Sequence, residues 1–178
     1  MRMHATYVTA GRSQDADRYA VSWMKDHPAD AGFVRQLGFV AMERKEYADA
    51  EAHFRKVIEL RAEDGLALNN LAWVLLQQDK PGALPFAEHA MRLMPERPEV
   101  MDTLALALVA DNQIQKALDL QRKAVTMMPD VPGYRLNLAK TLVKAGLKDQ
   151  ARAQLEKLGW LGDKFAKQAE VVSLLGSL

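Results

Sequence analysis

Four histidines, His4, His27, His53 and His89, are the side chains of this 178-residue chain best suited to proton transfer or metal binding near neutral pH. They fall at unrelated places in the sequence, with no partner spacing for a metal site or a nucleophile–base–acid triad. Cysteine is absent, which removes thiol catalysis, disulfides and cysteine-ligated metals but leaves the compartment open. The ten glycines are scattered, so no backbone loop is shaped to cradle a phosphate. The acidic pairs Asp15/Asp17 and Glu63/Asp64 sit where turns meet helices, and capping or helix-dipole effects account for them. Met127-Met128, directly before Pro129, reads as helix-end packing rather than a metal site. The chain is therefore expected to be no enzyme and to hold no cofactor or metal.

Charge gives a weaker signal. Twenty-four Lys and Arg against twenty-three Asp and Glu leave a net charge of +1, which argues against a nucleic-acid footprint. From Gly133 onward there are eight basic against four acidic residues, with Lys140 and Lys144 one helical turn apart and Lys148 and Arg152 following. An anionic partner at that end and a merely solvated helix face both fit. No run of eighteen apolar residues occurs, so no segment is expected to enter a membrane directly. The opening Met1-Arg2-Met3-His4 lacks a signal-peptide core, and no lipoprotein anchor is expected within these residues.

The elements that must position any binding residue are clearer. One helix-turn-helix pattern recurs about every thirty-four residues. In residues 31–64 it reads Val34, Leu37-Gly38, Ala41, then Ala50, Phe54 and Val57. Residues 65–97 repeat it as Leu68, Leu71-Ala72, Leu75, Ala83, Ala87 and Ala90, closed by Pro95. Residues 98–131 give Met101, Leu104-Ala105, Leu108, Ala117, Gln121, Ala124 and Pro129. Residues 132–162 give Arg135, Leu138-Ala139, Leu142, Ala151, Leu155 and Leu158. The register slips once, by one residue, around Asp79–Gly82. Gly38, Ala72, Ala105 and Ala139 should face Ala50, Ala83, Ala117 and Ala151 where the two helices of a hairpin cross, because only small side chains allow that approach. Val57, Ala90 and Ala124 should sit where a second helix meets the next hairpin.

These residues resemble the tetratricopeptide repeat (TPR), a helical hairpin with small residues at fixed places and a closing proline. The family's first-helix tryptophan is replaced by Val34, Leu68, Met101 and Arg135. The resemblance implies an all-α fold: a right-handed superhelix, or α-solenoid, of antiparallel hairpins. It also implies that the first helix of each repeat lines a concave face. The expected partner-binding residues there are Arg35, Gln36 and Phe39; Asn69, Asn70 and Trp73; Asp102, Thr103 and Leu106; and, in the last repeat, Asn137, Lys140 and Lys144 beside Leu136. Asparagine amides can pair with an extended peptide backbone, and an indole can anchor an interface; the same asparagines can equally bond neighbouring helices. The carboxylate clamp of one TPR subclass is not matched, since Phe39 replaces its first asparagine and Glu99 and Thr103 replace its Lys-Arg pair.

The ends differ from the middle. Residues 1–30 read as a partial hairpin, with Ala16, Ala20 and Trp23 on a second helix and Met3, His4 and Tyr7 on the packing face of a first helix that would begin before Met1. A cut from a longer array, leaving Tyr7, Tyr19 and Trp23 exposed, would fray or self-associate there. Residues 163–178 should form a capping helix from Asp163, with Phe165, Ala169, Val172 and Leu175 inward and Lys164, Lys167, Gln168 and Glu170 outward.

The phrases Leu68-Asn69-Asn70-Leu71-Ala72-Trp73 and Asp102-Thr103-Leu104-Ala105, with Lys148-Asp149-Gln150-Ala151-Arg152, resemble the C-terminal repeats of bacterial TPR lipoproteins of exopolysaccharide and PEP-CTERM protein-sorting systems. That resemblance implies a scaffold for a protein or peptide partner in an export apparatus of the bacterial cell envelope or periplasm. A cytoplasmic peptide-binding regulatory module and accessory repeats of a larger enzyme remain open beside it.

Overall fold

The computed structural model describes residues 2–178; Met1, the first residue of the expected partial hairpin, lies outside them. Eleven α-helices and no strand occur among the described residues. They pair as α1 (Arg2–Thr9) with α2 (Ser13–Asp26), α3 (Ala31–Glu43) with α4 (Tyr47–Leu60), and α5 (Gly65–Gln77) with α6 (Ala83–Leu93). Then follow α7 (Pro98–Ala110) with α8 (Ile114–Met127), α9 (Pro132–Lys144) with α10 (Lys148–Gly159), and a last helix α11 (Gln168–Gly176). The hairpins stack in chain order into a solenoid.

Helix ends follow local chemistry. Asp30 and Asp64 cap α3 and α5 by accepting from the amides of Phe33 and Ala67, each at 3.0 Å. Pro98 and Pro132 open α7 and α9, where a missing N–H costs nothing. Inside the hairpins the chain reverses through left-handed residues: Gly11 and Gly146, where glycine makes this easy, but also Lys45, Asp79 and Asn112. The register slip has a visible cause. Lys80-Pro81-Gly82 fills the stretch that begins α4 and α8, so α6 has 11 residues where those helices have 14.

Packing follows the small residues. Gly38, Ala72, Ala105, Ala139 and their partners Ala50, Ala83, Ala117 and Ala151 are all buried. Val57, Ala90 and Ala124 are wholly buried between successive hairpins. Of the residues in place of the family's tryptophan, Val34, Leu68 and Met101 are core, while Arg135 donates to Gln154 at 2.7 Å. An Ala72→Leu variant should lose about 1–3 kcal/mol by overpacking, read as a lower denaturant midpoint; an unchanged midpoint would place Ala72 outside the crossing. A charged junction adds to the stack outside the core. Lys80 (2.8 Å), Arg55 (2.9 Å) and Gln78 (3.0 Å) all donate to Glu51, and the Lys80 ammonium foremost holds that carboxyl down to about 2.

Both ends depart from expectation. Tyr7, Tyr19 and Trp23 do not lie open: Tyr19 stacks on Trp23 at 5.9 Å, and both lean on buried Phe33 together with His4. The aromatic side chains consume one another's surface, and Met3 and Val21 are exposed instead. At the other end the helix starts at Gln168, after a 3-10 turn at Gly162–Lys164 that leaves Phe165 outside it. Starting later rotates the packing face: Val171, Leu174 and Leu175 turn inward, while Ala169 and Val172 face solvent.

Candidate functional site

From α5 onward adjacent first helices approach one another, α5 to α7 and α7 to α9, more extensively than the corresponding second helices. The first helices therefore lie on the inner side of the curve. They are also the more enclosed layer, α5 and α7 burying eight residues each against three on α6 and four on α8.

The residues expected on that face divide into two groups. One group holds the helices together. Arg35 pairs with Asp64, tying α3 to the capping carboxylate of α5. Gln36 approaches His4 Nδ1 at 3.4 Å. Asn70 Nδ2 donates to Leu66 O at 2.7 Å within its own helix, and Thr103 Oγ1 does the same to Glu99 O at 2.9 Å. Asn137 Nδ2 donates to Asp102 Oδ2 at 2.8 Å, bridging α7 and α9. Asn69, Asp102 and Thr103 are buried, so the expectation that they line an open groove is corrected: close packing of the first helices takes up their surface. Lys140 pairs with Glu170 at 2.7 Å, and Lys144 donates to Val109 O at 3.0 Å.

The other group stays partly open. Phe39 is 38% exposed with its ring edge-on to Phe54; Trp73 is half-buried, edge-on to Tyr47; Leu106 is half-buried. These three occupy one equivalent place, the ninth residue counted from Ala31, Gly65 and Pro98; in the fifth hairpin that place is held by Lys140, exposed but paired with Glu170. Sequence reasoning included all four but did not separate them from their bonded neighbours. The thirty-four-residue period carried that signal.

Electrostatics mark one inner residue. Burial pushes the Asp102 carboxyl up to about 7 despite the Asn137 bond, and its Oδ1, like Asn69 Oδ1, has no hydrogen-bond partner among the described residues. His4 lies on the packing face, as its place in the first helix implied. It packs edge-on to Phe33, while His53 and His89 on second helices are half-buried. Burial lowers the pKa of His4 and His53. Among the described residues no cluster of three or more His, Asp or Glu could hold a metal, and no helix is long and apolar enough to cross a membrane.

Two family models described as tetratricopeptide repeat match residues 35–63 and 108–177. The hairpins are tetratricopeptide repeats. Over 83 residues, 46% of the chain, the TPR array is 35% identical to the Homo sapiens Protein O-mannosyl-transferase TMTC3, a match that spans only 9% of that protein. Among solved structures, MamA 41-end from Desulfovibrio magneticus RS-1 has a TM-score of 0.78 at 24% identity, covering 93% of this chain and 94% of that one. PilW, described as a widely conserved type IV pilus biogenesis factor, has a TM-score of 0.77 at 16% identity over 99% and 87%. YrrB, described as a TPR protein with an unusual peptide-binding site, has a TM-score of 0.74 at 17% identity over 97% and 90%. At these identities the structural likenesses show the TPR fold, whose modules typically bind protein or peptide partners.

Proposed function

We propose that this chain is a non-catalytic scaffold that holds an extended partner segment along the inner face of its TPR array. The row Phe39, Trp73 and Leu106 carries this reading, because it offers partly open apolar contacts at one hairpin spacing; Lys140, next in the row, is exposed and paired with Glu170. Gln36, Asn70 and Asn137 flank the row as partly open amides; Arg35, Asn69, Asp102, Thr103 and Lys144 set the helix positions on which it rests. Peptides selected from a random library on the parent should be rich in apolar residues. Their affinity should fall about tenfold or more with Phe39→Ala or Trp73→Ala. Selected peptides indifferent to both substitutions would move the binding surface elsewhere.

The setting we infer is an export assembly of the bacterial envelope, for exopolysaccharide or surface proteins. Its support is the resemblance of the Leu68–Trp73 and Asp102–Ala105 phrases to repeats of such lipoproteins, with the fold-level likeness to PilW beside it. Cross-linking in source cells should recover envelope components, and recovery of cytosolic proteins alone would replace this setting with a regulatory one.

A further inference from the structure

The first hairpin joins the array unlike the others. The backbones of α4 and α5, α6 and α7, and α8 and α9 approach closely, whereas α2 and α3 do not. Where α2 turns into α3 the space is filled by Phe33, which stands where the next two hairpins carry Ala67 and Val100 and is met by Tyr19 and Trp23. Further along, between α2, α3 and the start of α4, a cleft of about 510 Å³ stays open. That is inside the range of about 300–1,000 Å³ typical of ligand pockets.

Apolar and charged groups share the lining. Met24, Leu37 and Val40 supply an apolar part, and Val21, 74% exposed, also borders it. Three carboxylates, Asp17, Glu46 and Asp49, stand against one cation, Arg44, which spans Asp17 at 3.3 Å and Glu46 at 4.0 Å. Asp49 is exposed and makes no ion pair among the described residues. The other cations of α2, α3 and α4 do not cancel this excess. Arg18, Arg35, Arg55 and Lys56 pair with Asp15, Asp64, Glu51 and Glu59. Lys25 and Lys45 lie outside the lining, as do their neighbours Asp26 and Glu43.

A buried polar group also opens on the cleft. His4 is only 1% exposed, yet it is one of the lining residues. Burial foremost and then Arg44 lower its pKa while Asp17 raises it, which places the ring within reach of both cleft charges. The Gln36 amide nitrogen can only donate, so His4 Nδ1 accepts from it at 3.4 Å and Nε2 carries the proton of the neutral imidazole. No described residue pairs with that Nε2. His53, also lining the cleft, has its pKa lowered by burial, so neither histidine offsets the carboxylates at neutral pH.

We propose that this cleft binds a basic, apolar peptide segment of a partner protein. An aliphatic or aromatic side chain lies on Met24, Leu37 and Val40, and an adjacent lysine or arginine meets Asp49 and Glu46 on the first turn of α4. A backbone carbonyl accepts from His4 Nε2. A peptide fits better than a free amine because one backbone carries all three groups. The inner-face row of Phe39, Trp73 and Leu106 takes no part, so this proposal stands or falls independently of binding there.

The test is an amide-shift titration of the full 178-residue chain with three blocked octapeptides at up to about 1 mM. One carries two Lys-Leu pairs in a Gly-Ser background; in the others Glu replaces Lys, or Ser replaces Leu. The Lys-Leu peptide should shift Val21, Val40 and His53 and bind about tenfold or more tightly than either counterpart, with an affinity that salt weakens. Asp49→Lys and Val21→Lys change exposed side chains, and each should weaken that peptide about tenfold. Glu88→Lys, the same charge change on exposed α6 surface, should leave it unaltered, as should Trp73→Ala on the inner face. Absence of binding would overturn the proposal. So would equal binding of the Lys-Leu and Lys-Ser peptides, indifference to both cleft variants, or shifts at the cleft residues that vanish with Trp73→Ala.

Discussion

Phe54→Ala is expected to lower the unfolding free energy by about 3–5 kcal/mol. The ring is wholly buried between α3 and α4, and Phe39 meets it edge-on at 5.7 Å. Gly38 exists for this ring: a Cβ built there would stand 2.8 Å from Phe54 Cε1 and 2.9 Å from Cζ, closer than packed carbons tolerate. Gly38→Ala alone should therefore cost about 1–3 kcal/mol. The two losses should not add. With Phe54 truncated, the Gly38→Ala methyl enters vacated space and its cost should fall near zero, a coupling a double-mutant cycle in urea measures directly. Additive losses would mean the methyl clashes with something other than the ring. Because a solenoid hairpin is held only by its neighbours, hydrogen exchange should show the loss concentrated in α3 and α4.

Asp102→Asn is expected to stabilise the protein at pH 8 by roughly 2–4 kcal/mol and to gain almost nothing at pH 3. The folded carboxyl titrates at about 7 against an ordinary 3.8, because burial penalises its charged form. Between those values the folded chain holds a proton that the unfolded chain has released. Stability therefore declines as pH rises through that window and levels off above 7. Glu51 acts in the opposite sense, adding stability that is lost as pH falls through its lowered value of about 2, so the difference between variant and parent is the quantity to follow. The Asn side chain can still accept from Asn137 and brings no charge to bury. Urea unfolding at both pH values checks this; an equal gain at each would show that ionisation is not the cost.

Much of the fold was legible in the residue order. The eight small residues from Gly38 to Ala151 are spaced by a crossing that admits no larger side chain, and every one is buried. Which inner-face residues stay open was not legible. Asn69 and Trp73 lie on the same helix and both looked like groove residues, yet one is buried and the other half-open, because the adjacent first helices enclose one and leave the other in part. Lys45 and Asn112 carry left-handed turns without a glycine to announce them. The last helix was placed five residues early, since Phe165, Ala169 and Val172 are spaced as on one helix face although the helix begins only at Gln168.

By itself the sequence determined the all-α repeat architecture and the crossing points, because backbone approach between helices is decided locally by side-chain volume recurring at a constant period. Only the tertiary structure decided which polar groups are spent inside the stack and that Asp102 is buried away from water. Those outcomes depend on the desolvation and clearance produced when residues thirty or more positions apart are brought together. No local pattern encodes that distance.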